Sequence, residues 1–355
     1  MTSSTQQTAP FRFFENGDFE QVVFCSDRKS GLRAIIAVHS TALGPALGGC
    51  RFFDYPDEDS ALRDVLNLAC AMTYKAALAG LALGGGKAVI MGNPYMQKTD
   101  ARMGAFGHFV DRLGGTYITT EDSGTTAKDM DLLRTVTKHV TGSSEGSGDP
   151  SPVTAVGVFE GIRAAAQAVF GSTQLSGRRI ALQGVGNVGF RLAQHLKGAG
   201  ASLVVADRNK LHLERAAKEL GAEVVQPAEI ASVKCDIFSP CAMGGAINEE
   251  TIPDLRCAIV AGAANNQLAS DEAGDLLAKR GIAYVPDFAI NAGGLISVAG
   301  EVMGYDRDEA LQRTREIYQT VSKILTAAAE ERISPHWIAL RLAQERLARA
   351  ATLNL

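Results

Sequence analysis

The feature that most constrains this chain is a run beginning at Arg179. RIALQ leads into Gly184-Val185-Gly186-Asn187-Val188-Gly189, a helical stretch follows over 190–197, and SLVVA at 202–206 ends on Asp207. Each glycine has its own steric reason: Gly184 permits a tight turn, Gly186 lets a pyrophosphate approach the main chain, and Gly189 lets helix and strand pack closely. The helix N-terminal amides, at Asn187 and Val188, then meet phosphate charge. Asp207 is placed to accept ribose hydroxyls, and its carboxylate repels a 2′-phosphate. The spacing therefore predicts a Rossmann unit that takes NAD in preference to NADP.

The alternation continues, with short strands expected at 223–225, 236–238, 258–261 and 283–285. Two of them run into the loops SPCAMGG (239–245) and GAANNQ (262–267). Loops at strand C-termini of a doubly wound sheet face the ligand crevice, so Cys241, Ala242 and Asn265 are candidate cofactor contacts. No histidine neighbours Cys241 in sequence, which argues against a thiol nucleophile. Beyond the glycine-ended loop 286–294, helices are expected over 295–303, as one long element over 308–332, and after Pro335. Trp337, the sole tryptophan, is expected in the core or an interface.

The first half carries a different signal, MTYKAALAGLALGGGKAVIM at 72–91. Lys75 falls among good helix formers, and Lys87 follows three glycines and opens a β-leaning run. If helix and strand pack together, two cations reach one cavity; otherwise Lys75 snorkels at a surface and the glycines make a turn. The loop LGPALGG at 43–49 reads as irregular, with Leu47 beside main chain that can wall a pocket. Asp59-Ser60 offers an N-cap to the helix that carries Lys75. TYITT at 116–120 reads as a strand that runs into Glu121-Asp122, where Asp122 is either a site acid or a turn residue. Strands are expected at 20–25 and 33–39, a helix near 103–113, and a hinge over GSSEGSGDPSP, 142–152.

Bulk properties set the outer limits. A chain of 355 residues is long for one core. The expected architecture is α/β: residues 1–145 as a substrate-binding and oligomerisation domain, 146–330 as a doubly wound nucleotide-binding domain, helices from about 330 to 355 packing back on the first, and the active site in the cleft between them. A net charge of −4 and a pI near 5.9 leave no footprint for nucleic acid or an anionic membrane. Six cysteines without a C-x-x-C pair indicate reduced thiols, and with six dispersed histidines they predict no metal site. The polar lead 1–10 lacks an apolar signal core and no run of about twenty apolar residues stands out, so a cytoplasmic protein is expected.

The motifs LGPALGG (43–49), MTYKAA (72–77), LGGGKAVI (83–90), YITTEDSGT (117–125), GVGNVG (184–189), PCAMGG (240–245), AGAANNQL (261–268) and PDFAINAGG (286–294) together resemble the glutamate/leucine/valine/phenylalanine dehydrogenase superfamily. The resemblance runs from Glu20 to Arg346 and leans to the branched-chain members. It implies oxidative deamination of an L-amino acid, with Lys75 holding the substrate α-carboxylate, Lys87 as the catalytic lysine and Asp122 exchanging protons with the amino nitrogen. The backbone at Gly48, with Asn266, would complete head-group recognition, and Thr154 would contact the nicotinamide amide. Two ammonium charges about 6 Å apart repel by roughly 3 kcal/mol at an effective dielectric of ~20, which would favour Lys87 as the free amine. Glutamate-specific relatives carry a lysine at the position of Leu47, so an apolar substrate side chain is implied, with pocket depth set by Leu47, Thr120, Leu295 and Val298. Thr120 argues for leucine, valine or isoleucine, whereas Leu295 and Asn265-Asn266 also occur in aromatic-specific members. The resemblance further implies a homo-oligomer. The readings set against it are a phenylalanine-type dehydrogenase, a Rossmann enzyme of other chemistry and an inactive NAD-binding protein.

Overall fold

The computed structural model describes residues 19–353 apart from Glu145, Ser147 and Met243. The polar lead 1–10, two residues of the expected hinge and Met243 of the 239–245 loop thus lie outside the described residues. Over the described residues the chain divides into two compact units, one of Met1–Ala77, Ala82–Gly148 and Arg349–Leu355, the other of Leu78–Leu81 and Asp149–Ala348.

The first unit contains β1 (Gln21–Asp27), β2 (Leu32–Ser40), β3 (Ala46–Phe53), α1 (Glu58–Leu78), β4 (Gly84–Met91), α2 (Pro94–Gln97), α3 (Asp100–Arg112), β5 (Tyr117–Glu121) and α4 (Ala127–Arg134). Its sheet runs β1-β2-β4-β3-β5, with β1, β2 and β4 antiparallel in turn, while β3 pairs in parallel with β4 and β5. One face packs on α3 and α4 through Phe52, Ile90, Met103, Phe106 and Leu133. The other packs on α1 through Ala61, Val65 and Ala69, whose helical spacing puts them on one stripe. The α1 cap is Asp57, whose Oδ1 accepts the Ser60 N–H at 2.7 Å, and not the expected Asp59-Ser60.

Two loop expectations change here. Ala46–Gly49 belongs to β3, and Gly84–Gly86 are the first residues of β4 and not a turn before it. The β3–β4 pairing runs through Ala46–Gly84 and Leu47–Gly85, is interrupted at Gly48 and Gly49, and resumes at Cys50–Ala88. A Cβ at Gly48 would stand 1.7 Å from the Gly86 carbonyl oxygen, so the strands approach more closely than any side chain permits. Gly48→Ala should therefore cost about 3 kcal/mol or more, which urea unfolding of the full chain measures.

The second unit contains α5 (Ser151–Phe170), β6 (Arg179–Gln183), α6 (Asn187–Gly198), β7 (Ser202–Ala206), α7 (Lys210–Leu220), β8 (Glu223–Val224), β9 (Ile237–Pro240), β10 (Ile259–Val260), α8 (Asp271–Lys279), β11 (Ala283–Tyr284), α9 (Asp287–Ile290), α10 (Gly293–Met303), α11 (Arg307–Arg315), α12 (Ile317–Glu331) and α13 (Pro335–Leu353). Its six strands are all parallel in the order β11-β10-β9-β6-β7-β8, a doubly wound sheet whose direction of winding reverses between β6 and β9. The expected single helix over 308–332 is divided at Glu316, which caps α11 and starts α12; no proline or glycine marks the break.

One further expectation is corrected. By length and composition α5 is apolar enough to cross a membrane, although no such run stood out in the sequence; half of it is buried, and Val153, Ala155, Val158 and Ile162 are core residues of the second unit. Helix α13 falls in the second unit as far as Ala348, and the chain from Arg349 is grouped with the first. Its first turn is tied to α8: His336 Nε2 lies 2.9 Å from Asp271 Oδ1, and the Trp337 indole N–H donates to Asp275 Oδ1 at 3.1 Å. Trp337 is 39% exposed, so its ring is half at the surface.

Candidate active site

In the first unit three strands converge on one ion pair. Lys87 is the fourth residue of β4, a strand buried along nearly its whole length, and is itself only 7% exposed. Its Nζ forms a salt bridge with Oδ2 of Asp122, the residue immediately after β5. Strand β3 lies between β4 and β5, so the contact passes over β3 at Gly49. A Cβ at Gly49 would stand 3.3 Å from Lys87 Nζ and 2.8 Å from Asp122 Cβ. The gap left by that absent side chain is where the two charges meet.

Asp122 is a turn residue and also an ion-pair partner. Its Oδ1 accepts the Ser123 N–H at 2.6 Å in a local turn, while Oδ2 faces the cations. Burial raises the carboxyl, but the Lys87 ammonium, the Arg51 guanidinium and the Ser123 N–H outweigh it and bring it from 3.8 down to about 2. Arg51 Nε is 3.8 Å from Asp122 Oδ2, and its Nη1 donates to Asp64 Oδ2 at 2.9 Å. The Tyr55 hydroxyl donates to the same Asp64 oxygen. A chain of charge thus runs Lys87, Asp122, Arg51, Asp64. Arg51, Asp64 and Tyr55 were not found from the sequence; the Arg that follows LGGC is the one visible cue.

The expected neighbours are distributed as follows. Helix α1 presses on β4 where Gly85 meets Thr73: a Cβ at Gly85 would be 2.1 Å from the Thr73 nitrogen. Lys75, partly exposed, is two residues further along α1. At Gly85 and Gly86 protein atoms fill the space a side chain would need, Thr73 at the first and Tyr117 at the second. The Gly48 carbonyl accepts the Tyr117 hydroxyl at 2.7 Å. Leu47 is fully buried, and Thr120 is partly buried with its hydroxyl lacking a hydrogen-bond partner. Leu295 and Val298 lie three residues apart on α10 of the second unit.

In the second unit the nucleotide turn has the shape that its glycines require. Gly184 has φ +97°, and a Cβ there would meet Ala242 at 2.8 Å. One at Gly189 would meet the Gly184 oxygen at 2.2 Å and Cys241 Cβ at 3.3 Å. At Gly186, by contrast, the nearest atom is His212 Cε1 at 4.0 Å. Open space at Gly186, at the N-terminus of α6, fits a pyrophosphate. Asn187 and Val188 are the first residues of α6, and Asp207 follows β7 directly. The Asp207 carboxylate accepts N–H bonds from Val185 and Asn209, each at 2.8 Å, and lies 3.4 Å from His212 Nδ1. Burial raises its carboxyl, but these donors hold it below the usual range.

The Cys241 N–H donates to Gln183 O at 2.8 Å, which seats the 239–245 loop beside the turn, and burial pushes its thiol up. The Thr154 hydroxyl on α5 donates to Pro150 O at 3.0 Å. Asn265 and Asn266 are held by the PDFAIN segment. Asn291 Nδ2 donates to Asn265 Oδ1 at 2.9 Å, and the buried Asp287 carboxylate accepts the Asn266 N–H. Asn266 itself has φ +51°, a left-handed backbone that asparagine tolerates. Asp287 and Asn291 lay inside a recognised motif without being singled out from it.

Residues 19–139 match the model of the Glu/Leu/Phe/Val dehydrogenase dimerisation domain, and residues 202–354 that of Glutamate/Leucine/Phenylalanine/Valine dehydrogenase. A leucine dehydrogenase of Bacillus cereus is 51% identical, with 95% of this chain and 93% of the relative covered. A valine dehydrogenase of Streptomyces albus is 47% identical over 95% of this chain and 94% of its own. The crystal structure of L-tryptophan dehydrogenase from Nostoc punctiforme matches with a TM-score of 0.85 at 43% identity, covering 96% of this chain and 99% of that one. A two-unit α/β fold of this kind, with those relatives, defines an oxidoreductase of the amino-acid dehydrogenase class. The chain belongs to the Glu/Leu/Phe/Val dehydrogenase family, as its motifs led one to expect, and shares about half its residues with leucine dehydrogenases.

Proposed function

We propose that this enzyme carries out the reversible, NAD-dependent oxidative deamination of an apolar L-amino acid, with leucine, valine and isoleucine favoured. Amino acid, water and NAD⁺ give 2-oxo acid, ammonium, NADH and a proton. The observation that carries the proposal is the buried Lys87–Asp122 pair, an ammonium and a carboxylate held in contact and able to exchange protons.

Bound on the 184–189 turn, with Thr154, Cys241, Ala242 and Asn265 as further contacts, NAD supplies the hydride acceptor. The preference for NAD over NADP rests on Asp207, whose ionised carboxylate stands where a 2′-phosphate would have to fit. Lys75 holds the substrate carboxylate, assisted by the backbone at Gly48 and by Asn266. Once Cα is oxidised to the iminium, Lys87 activates the water that attacks it. Asp122 accepts a proton from the substrate amino group and returns one as ammonia leaves. In this structure the Asp122 carboxylate faces the Lys87 ammonium.

The apolar specificity is assigned to Leu47, Thr120, Leu295 and Val298, as the family resemblance implies. A substrate carboxylate buried against Leu47 would have no partner. An aromatic substrate is the second reading, favoured by the likeness to an L-tryptophan dehydrogenase. A homo-oligomer is supported by the match to a dimerisation domain and by Phe24, 63% exposed on the edge strand β1. A cytoplasmic setting suits a reaction that draws on NADH. One panel tests these points: NADH or NADPH oxidation with ammonia and each of 4-methyl-2-oxopentanoate, 3-methyl-2-oxobutanoate, phenylpyruvate and 2-oxoglutarate. The aliphatic acids with NADH should lead. Phenylpyruvate in front would overturn the aliphatic assignment, and no turnover with any acid would overturn the activity itself.

A further inference from the structure

We propose that Cys235 and Cys257 are a reactive dithiol site, oxidised reversibly to a disulfide by a peroxide, at the N-terminal ends of β9 and β10. The two positions are far apart in sequence and form no C-x-x-C motif, yet the parallel sheet sets them side by side. Lys234 pairs with Arg256 and Ile237 with Ile259, so Cys235 stands opposite Cys257, and the Cys235 N–H donates to Arg256 O at 3.2 Å. Residues in register on neighbouring strands share a face of the sheet about 4.8 Å apart. That spacing lies inside the range of about 4.4–6.8 Å that disulfide Cα atoms span. Both side chains pack against the same core cluster of this sheet, so they share one face, and each thiol shifts the acidity of the other.

The pair also differs from the other four cysteines in environment. Cys25 and Cys50 are buried in the first unit, and burial pushes up the thiols of Cys25, Cys50, Cys70 and Cys241. Cys257 alone is lowered, by the Cys235 hydrogen bond first and against its own burial, with help from the Phe238 and Ile259 backbone and from Arg280. The carbonyls of Ile252 and Leu255 accept hydrogen bonds from the Arg280 guanidinium and hold it in place. Cys235 is the proton-bearing partner, raised by the same contact. Both residues are partly exposed, so a small oxidant reaches them.

The chemistry balances with the peroxide as sole oxidant. The Cys257 thiolate attacks one peroxide oxygen, the O–O bond breaks, and with a proton the leaving hydroxide becomes water, leaving a sulfenic acid. The Cys235 sulfur then attacks the Cys257 sulfur; its proton leaves with the hydroxyl as a second water and the S–S bond forms. Two thiols lose two electrons and one peroxide gains them. A dithiol reductant reverses the bond by exchange.

The test treats the full-length enzyme with one equivalent of hydrogen peroxide at pH 7, blocks the remaining thiols by alkylation and maps the peptides by mass spectrometry. A 235–257 cross-link, two hydrogens lighter and restored by dithiothreitol, is the expected main product. Cys235→Ser should leave a sulfenic acid at Cys257 that dimedone traps, and Cys257→Ser should slow peroxide consumption by about tenfold. Sulfinic acid at Cys257 without a cross-link in the wild type, or first oxidation at any of the other four cysteines, would overturn the proposal. The wild-type map decides the matter even if a variant folds poorly.

Discussion

Lys87→Ala is expected to lower kcat for amino-acid oxidation by about 10³-fold, in the usual range for loss of a general base, while the fold survives. In the proposed reaction the amine acts as water adds to the oxidised carbon; besides Lys87, the groups facing Asp122 are Arg51 and Ser123. The carboxylate keeps those two, so removing the lysine does not strand a bare charge. Steady-state rates, with circular dichroism to verify folding, measure the outcome. Retention of more than a few per cent of wild-type turnover would sink the assignment of Lys87.

Asp122→Asn should lower both activity and stability. The amide keeps the shape of the side chain but leaves Lys87, 7% exposed, without its anion. A carboxyl lowered from 3.8 to about 2 contributes about 2 kcal/mol to folding at neutral pH. The sign follows from the depressed value: the contribution is full above the unfolded value of 3.8 and disappears as pH falls through about 2. The gap in urea stability between wild type and variant should therefore be widest at pH 7 and narrow between pH 4 and pH 2. A gap that does not change with pH would mean that the ion pair is not what the mutation removes.

The nucleotide-binding unit was largely legible because its information is local. Gly184, Gly186 and Gly189 act within one turn, and each has a separate close approach or opening to account for. Lys87 and Asp122 were legible as chemistry, through their motifs, but not as a contact. The Arg51–Asp64 bond joins β3 to α1, and nothing in a linear pattern reports which carboxylate a buried arginine will choose. The glycine triplet was misread because three glycines signal a turn by propensity, whereas here tertiary packing of Thr73 and Tyr117 requires them inside a strand. Cys235 and Cys257 were read as isolated thiols for the same reason: parallel register pairs residues that sequence keeps apart.

The passage of the Lys87–Asp122 contact over Gly49 sets a boundary for anyone redesigning this enzyme. The atoms that exclude a side chain at that position are the protein's own, so its identity does not depend on which amino acid is being oxidised. On the proposed assignment, libraries for new substrates should leave 48–49 and 84–87 untouched and vary Leu47, Thr120, Leu295 and Val298. Reaction type and substrate choice are then two separable design problems on one scaffold.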